Sequence, residues 1–217
     1  MARPRVAVLI SGRGSNMAAL IEAASAPGYP AEIALVISDK PDAAGLETAR
    51  QARIRTSVFD RKQFAGRAAF EQAILATLDV ENIDLVCLAG FMRVLSADFA
   101  AAWEGRMLNI HPSLLPSFKG LDTHERALAA GVKVSGCTVH FVSAELDAGP
   151  IVAQAVVPVL PGDDADSLAA RVLTMEHRLY PHALALVASG KVRIANGVAR
   201  LAPDVAIEAE GFTVPDA

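Results

Sequence analysis

Short apolar runs alternate with segments of helical period in the first part of the chain, and this alternation most limits how it can fold. The runs are apolar at every position rather than at every second one, which is typical of parallel strands covered on both faces. The strands are predicted over Arg5 to Ile10, Ile33 to Ser38, Thr56 to Phe59 and Leu85 to Ala89, and the helices over Ser15 to Ala24, Ala44 to Gln51 and Gly66 to Leu78. Right-handed crossovers between such units predict a Rossmann-like α/β fold, a mostly parallel sheet with helices on both faces.

The second half of the sequence predicts an antiparallel C-terminal extension of this sheet. The apolar runs Val134 to Val142 and Ile151 to Val159 are separated only by the turn-like stretch Leu146 to Pro150, which is too short for a helical crossover. A long amphipathic helix is predicted over Asp166 to Ala188, with Gly190 just past its end.

Between these halves the sequence predicts a strand that ends at an open loop. Ser96 can cap a short helix that runs to Trp103, and the residues Met107 to His111 predict a strand. Pro112 ends that strand because proline lacks the ladder donor, and a loop rich in Pro, Ser and Gly follows to Gly120. Ligands in such sheets bind at the carboxyl ends of strands, so this junction is a candidate site.

Length and composition predict one domain over residues 1–203 and a tail over 204–217 that has no strong pattern. The 217 residues, 53% of them hydrophobic, can bury a sizeable core as one compact unit. Acidic residues outnumber basic ones by 24 to 20, and no Lys/Arg block is present, so nucleic acids and anionic membranes are not expected as partners.

Two further observations bear on compartment and cofactors. The apolar run Val6 to Ile10 is too short to span a bilayer and lacks a cleavage signal, so we expect a soluble cytoplasmic protein. Cys87 and Cys137 each lie in a strand-like run with no second thiol nearby, and we therefore predict core residues rather than a metal or redox motif.

A glycine-containing loop from Ser11 to Asn16 follows the first strand and opens the first helix. Exposed backbone N–H groups and the helix dipole suit an anion such as phosphate at this position. A dinucleotide fingerprint would need a third glycine where Met17 stands, although Asp39, at the end of the second strand, keeps NAD binding open as a weaker alternative. The loop is also compatible with a tight turn that has Ser15 as its N-cap and no ligand.

The sequence Asn109-Ile110-His111 puts an amide and an imidazole on one face of the predicted strand, since side chains alternate along a strand. Acyl transfer to an amine needs a donor for the developing oxyanion and a group that moves a proton, and these two side chains can supply them. Asp147 lies in a turn framed by glycine and proline, and a contact with His111 would favour the imidazolium. On spacing alone, an ordinary strand-end histidine and a turn aspartate stay open as alternatives.

No metal site and no covalent nucleophile are predicted. The other histidines have no metal-ligand spacing, since His124-Glu125 lacks the second histidine of a His-Glu-x-x-His motif. A Gly-x-Ser-x-Gly elbow is also missing from the sequence. Direct transfer through a tetrahedral intermediate is therefore the simpler expected mechanism.

Five motifs and one residue pair together resemble the glycinamide ribonucleotide formyltransferases. They are Ser11 to Asn16, Leu88 to Arg93, Asn109 to Pro116, Gly136 to Phe141 and Leu146 to Pro150, followed by Glu176-His177. The resemblance implies the formyltransferase fold, and an enzyme that moves a formyl group from 10-formyltetrahydrofolate to the amine of glycinamide ribonucleotide in purine synthesis. It would act as a monomer or homodimer without a metal.

The resemblance also implies roles for particular residues. Those matching the family's catalytic set are Asn109, His111 and Asp147; those matching the ribonucleotide site are Gly14, Ser15, Asn16 and Glu176; those matching the folate site are Met92, Arg93, Val94, Leu95, Asn109 and, by spacing, Arg67. Without the resemblance, Met92, Val94 and Leu95 would be predicted to pack in the core, and Arg93 to be a surface charge. Asp122 stands where certain members have histidine, and Leu173 where others have a polar or basic residue.

Three rival functions remain. Formyltetrahydrofolate deformylase and methionyl-tRNA formyltransferase share the Asn-x-His and Asp site, but each usually carries a further domain, for which we expect no room in this chain. The third rival is a non-enzymatic nucleotide-binding module, for which the glycine loop would suffice.

Overall fold

Seven strands form one sheet at the centre of the molecule. A computed structural model describes residues 2–205 of the chain. The strands are β1 (Arg5–Ile10), β2 (Glu32–Ser38), β3 (Arg55–Val58), β4 (Leu85–Leu88), β5 (Met107–His111), β6 (Val134–Phe141) and β7 (Ile151–Pro158). Their spatial order is β3-β2-β1-β4-β5-β6-β7, with parallel pairing from β3 to β5 and antiparallel pairing of β6 with β5 and of β7 with β6. The predicted mostly parallel sheet with an antiparallel extension is confirmed.

Helices cover both faces of this sheet. They are α1 (Ser15–Ser25), α2 (Gly45–Gln51), α3 (Arg67–Val80), α4 (Ala97–Ala102), α5 (Thr123–Ala129) and α6 (Ala165–Ala188). Alternate residues of β1 enter different cores: Val6 and Val8 pack in the cluster that includes α1 and α6, while Ala7 and Leu9 pack in the cluster that includes α3 and α4. Burial on both faces explains why the strands are apolar at every position.

Both cysteines belong to this buried structure, as predicted. Cys87 lies on β4 and Cys137 on β6, and both are fully buried. Burial raises the pKa of each thiol to about 12, so neither is a ready nucleophile at neutral pH.

The long helix α6 reaches the sheet next to the predicted site. Its N-cap is Asp164, which forms a capping box with Ser167, so the helix begins slightly before the predicted Asp166. The hydroxyl oxygen of Tyr180 lies 3.1 Å from the carbonyl oxygens of Leu88, the last residue of β4, and Leu108, the second residue of β5. This buried contact ties α6 to the strand that carries Asn109.

Three elements were not predicted from the sequence: a short 3-10 turn over Arg61–Gln63, helix α5, and a separate hairpin of β8 (Val192–Ala195) and β9 (Val198–Leu201). Asn196 and Gly197 join the hairpin strands, and both have positive φ, as a tight hairpin turn requires.

Within residues 2–205, none of the helices is both long enough and apolar enough to cross a membrane. The predicted tail from 204 to 217 lies, beyond its first two residues, outside the described part of the chain.

Candidate active site

The glycine loop forms an uncapped helix N-terminus. Gly14 has φ 72° and ψ 34° and is the N-cap of α1, and no side chain caps the helix there. The alternative in which Ser15 is the N-cap is wrong, because Ser15 is already the first helical residue. The first N–H groups of α1 thus lack a side-chain acceptor, and with the helix dipole they favour an anion at this position.

Asn16 and Glu176, which are 160 residues apart, meet beside this loop. The Asn16 amide Nδ2 donates to the Glu176 carboxylate at 2.6 Å, and both side chains are at least nine-tenths buried. Burial raises the pKa of Glu176, and the hydrogen bond from Asn16 opposes that shift. Asn16 Oδ1 is buried and finds no hydrogen-bond partner among residues 2–205, so it can accept from a ligand.

The segment from Met92 to Leu95 follows β4 and lies beside the glycine loop. The alternative of core packing is wrong for Met92 and Val94, whose exposed fractions are 66% and 68%. The Met92 N–H donates to Ser11 Oγ at 2.8 Å, so the segment is bonded directly to the start of the glycine loop. An exposed apolar segment at the carboxyl edge of the sheet suits a flat, largely apolar ligand group.

Two buried carboxylates bind Arg93 in this segment and Ser96 just after it. Arg93 Nε donates to Asp39 Oδ2 at 2.5 Å. Glu71, on α3, accepts from the backbone N–H and hydroxyl of Ser96, and from Arg67 Nε at 2.8 Å. Burial alone would raise the pKa of Glu71, but the bonds from Arg67 and Ser96 keep it below its ordinary value.

These contacts bear on two alternatives that the sequence left open. Arg93 is not merely a surface charge, because it is the ion-pair partner of Asp39. The side chain of Asp39 is itself fully buried, and its Oδ2 is already paired with Arg93. Its Oδ1 has no hydrogen-bond partner among residues 2–205. The ion pair with Arg93 weakens the NAD alternative, which depended on this acidic residue.

The structure brings Asn109, His111 and Asp147 together at the end of β5. His111 is 5% exposed, and its Nδ1 lies 3.5 Å from Asp147 Oδ2. His111 Nε2 donates to the Phe118 carbonyl at 3.0 Å, since a carbonyl can only accept. The Nδ1 nitrogen that faces Asp147 is therefore the one that can exchange a proton.

His140 completes this group and was not predicted to take part. It lies opposite Asn109 in the β5–β6 pairing. Its Nδ1 donates to the Phe141 carbonyl at 2.9 Å, which leaves Nε2 to accept from Asn109 Nδ2 at 3.2 Å. Burial lowers the pKa of His140, in keeping with a neutral ring. His140 thus orients the Asn109 amide and leaves its second N–H free to donate elsewhere.

Asp147 accepts a hydrogen bond from the backbone in addition to its contact with the His111 ring. It has φ 49°, and its Oδ2 accepts from the Gly120 N–H at 2.8 Å. A third histidine, His124 on α5, lies near His111, and burial lowers its pKa. Over the described range 2–205, no three His, Cys, Asp or Glu side chains form a group that could hold a metal ion.

Comparison with known proteins places this geometry in a family. The formyl transferase family model matches residues 4–184. The chain belongs to the formyl transferase family. Within it, the chain is 45% identical to the phosphoribosylglycinamide formyltransferase of Escherichia coli (strain K12) over 90% of this chain and 92% of that protein. The predicted family membership is confirmed.

Solved structures of formyl transferases have the same fold. A glycinamide ribonucleotide transformylase from Symbiobacterium toebii has a TM-score of 0.89 at 46% identity, covering 92% of this chain and 94% of its own. A phosphoribosylglycinamide formyltransferase from Brucella melitensis has a TM-score of 0.84 at 62% identity, covering 87% and 97%.

Larger proteins contain a similar unit. The trifunctional purine biosynthetic protein adenosine-3 of Bos taurus is 54% identical over 88% of this chain, and the chain spans 19% of that protein's length. The relatives from Escherichia coli, Symbiobacterium toebii and Brucella melitensis carry the names of transferases, which favours formyl transfer over the deformylase alternative. The roles of the individual site residues remain predictions.

Proposed function

We propose that the chain transfers the formyl group of 10-formyltetrahydrofolate to the amine of glycinamide ribonucleotide, giving formylglycinamide ribonucleotide and tetrahydrofolate in cytoplasmic purine synthesis. One observation carries the proposal. The uncapped N-terminus of α1, the exposed Met92–Leu95 segment and the group of Asn109, His111 and Asp147 meet at one edge of the sheet. Such a site can hold an anionic acceptor and an apolar donor on either side of a proton-moving group.

The ribonucleotide binds at the glycine loop. Its phosphate accepts hydrogen bonds from the first N–H groups of α1, where Gly14 lets the backbone approach closely. Asn16 Oδ1 and the Glu176 carboxylate then bind donor groups of the same ligand, because both are buried acceptors next to the loop.

The folate binds along Met92 to Leu95. The exposed side chains of Met92 and Val94 contact its ring system, and the bonds to Ser11, Asp39 and Glu71 keep this surface rigid before binding. Arg67 donates through Nε to Glu71, so its terminal nitrogens remain free for a carboxylate of the ligand.

The reaction follows from the positions of the polar groups. The amine nitrogen bonds to the formyl carbon, and the second Asn109 N–H donates to the oxygen on which negative charge develops. His111, held by Phe118 and Asp147, moves the proton lost by the amine toward the folate nitrogen as the bond from that nitrogen to the formyl carbon breaks. Asp147 stabilises the charged imidazole during the transfer.

A transfer assay tests the proposal against hydrolysis. With purified protein and 10-formyltetrahydrofolate, tetrahydrofolate should form rapidly only after glycinamide ribonucleotide is added, and one formylated product should form for each folate consumed. An amine anchored through its phosphate has a large effective concentration relative to water. Rapid formate release without the acceptor, at a rate that the ribonucleotide does not raise, would instead assign the chain as a deformylase.

A further inference from the structure

The loop that follows β5 contacts both His111 and Asp147. The Phe118 carbonyl accepts from His111 Nε2 at 3.0 Å, and the Gly120 N–H donates to Asp147 Oδ2 at 2.8 Å. The ring and the carboxylate lie 3.5 Å apart. A shift of this loop would therefore move the two catalytic groups relative to each other.

This loop has a backbone conformation that its own sequence disfavours. Phe118 has φ 55°, in the left-handed region that aromatic residues rarely adopt. Such a conformation persists only where the surrounding groups hold it in place, and it is often found at functional sites. The loop thus depends on contacts from outside its own residues.

Arg126, an exposed residue of α5, supplies such contacts. Its Nη1 donates to the carbonyl oxygens of Lys119 at 2.6 Å and Leu121 at 3.1 Å. Its guanidinium carbon lies 5.7 Å from the centroid of the Phe118 ring. Arg126 thereby contacts the residues on both sides of Gly120 as well as Phe118. The guanidinium geometry fixes the direction of these charge-assisted bonds.

We propose that Arg126 is a positioning residue for formyl transfer, which holds the Phe118–Leu121 loop so that His111 and Asp147 keep their relative geometry. This inference rests on the proposed function and adds to it a residue outside the family motifs. Arg126 makes no hydrogen bond with His111 or Asp147, so it acts through the loop that contacts them.

Two variants at this position and one matched control test the role. Arg126→Met keeps an apolar stem of similar length and removes every donor, while Arg126→Lys keeps the charge and loses the planar fork. Arg106→Met is the control, because Arg106 makes the same kinds of contact elsewhere: Nη2 donates to the Ala102 carbonyl at 2.8 Å and the guanidinium lies 4.4 Å from the Trp103 ring centroid.

Steady-state kinetics give the first readout. In Arg126→Met, kcat should fall about 10- to 100-fold, because small displacements of catalytic groups have large effects on rate. KM for both substrates should stay within about twofold, since neither proposed ligand contacts the loop residues that Arg126 holds. Arg126→Lys should regain part of the loss, and Arg106→Met should keep the wild-type kcat.

The NMR signal of the His111 Nε2 proton gives a second readout that does not depend on activity. The proton should exchange slowly with water in the wild type and in Arg106→Met, and rapidly in Arg126→Met. A kcat for Arg126→Met within about twofold of wild type, together with an unchanged His111 signal, would overturn the inference. A wild type without formyl transfer would instead refute the proposed function, and the His111 signal would still decide whether Arg126 holds the loop.

Discussion

Replacing His140 by leucine should slow catalysis with little effect on substrate binding. His140 Nε2 accepts from the Asn109 amide at 3.2 Å, and in the proposed mechanism this bond directs the second N–H of that amide toward the reacting oxygen. His140→Leu keeps an apolar side chain at a position that is 2% exposed, and it removes the acceptor. The Asn109 amide would then lose its fixed orientation.

The size of the effect lies between two limits. A neutral hydrogen bond contributes about 0.5 to 1.5 kcal/mol, or about 2- to 13-fold in rate if all of it is lost in the transition state. Complete loss of an oxyanion donor costs about 100- to 1,000-fold in kcat. Because Asn109 remains present but misoriented, we expect kcat to fall about 5- to 100-fold and KM for either substrate to change less than about threefold.

A double-mutant cycle makes this test specific. If His140 acts only through Asn109, the variant that combines His140→Leu with Asn109→Ala should be no slower than Asn109→Ala alone. His182→Leu is the matched control, because His182 is exposed on α6 and should keep wild-type kinetics. Fully additive losses in the cycle, or a His140→Leu variant with wild-type kcat, would refute the reasoning.

Three further substitutions test the two ligand-binding regions. Gly14→Val should weaken ribonucleotide binding at least about tenfold, and folate binding much less. Gly14 has positive φ, and a Cβ there would lie 3.2 Å from Gly45 Cα. Calorimetry that finds equal losses of affinity for both ligands would contradict the phosphate site. Glu176→Gln should weaken ribonucleotide binding and also remove a pH dependence of stability. Burial raises the folded-state pKa of Glu176, so the wild type should lose stability as pH rises from about 4.5 through that pKa. Urea unfolding across this range measures the effect, and a variant whose stability changes with pH as the wild type's does would contradict it. Asp39→Asn should lower folate affinity about 3- to 10-fold, because it weakens the bond that holds Arg93, and should leave ribonucleotide affinity unchanged. Calorimetry with both ligands tests this, and a loss of ribonucleotide affinity alone would contradict it.

The sequence predicted the parallel part of the fold well because burial on both faces leaves a strong signal. Every position of β1 from Val6 to Ile10 is buried, and the strand was predicted with its observed limits. Helix α5 has only seven residues and begins after Asp122, which has positive φ, so its periodic signal is short. The hairpin was missed although Asn196-Gly197 is a turn signal, because its strands are short and mostly exposed.

The sequence predicted site residues that lie on one strand, but not the contacts between residues far apart in the chain. Asn109 and His111 are neighbours on one strand, so periodicity alone places them on one face. His140 could be paired with Asn109 only from the β5–β6 register, which the sequence of two predicted strands does not determine. The contact of Asn16 with Glu176 depends on how α1 packs against α6, and local sequence carries no direct signal of such packing.

The partners of the arginines were missed for the same reason. Arg93 and Asp39 follow different strands, and their ion pair depends on the order of those strands in the sheet. Arg126 was not singled out, since its contacts are to backbone carbonyls of a loop whose conformation the sequence does not specify. The family resemblance predicted the chemistry and the principal site residues, whereas the structure showed the contacts that those side chains make.

A crystal structure with glycinamide ribonucleotide and a folate analogue that cannot transfer its one-carbon group tests the central claim most directly. We expect the phosphate on the N–H groups at the start of α1, the folate ring system along Met92 to Leu95, and the acceptor amine about 3 to 3.5 Å from the atom that replaces the formyl carbon, beside Asn109. A phosphate bound away from α1, or an amine separated from Asn109 and His111 by the folate, would contradict the account.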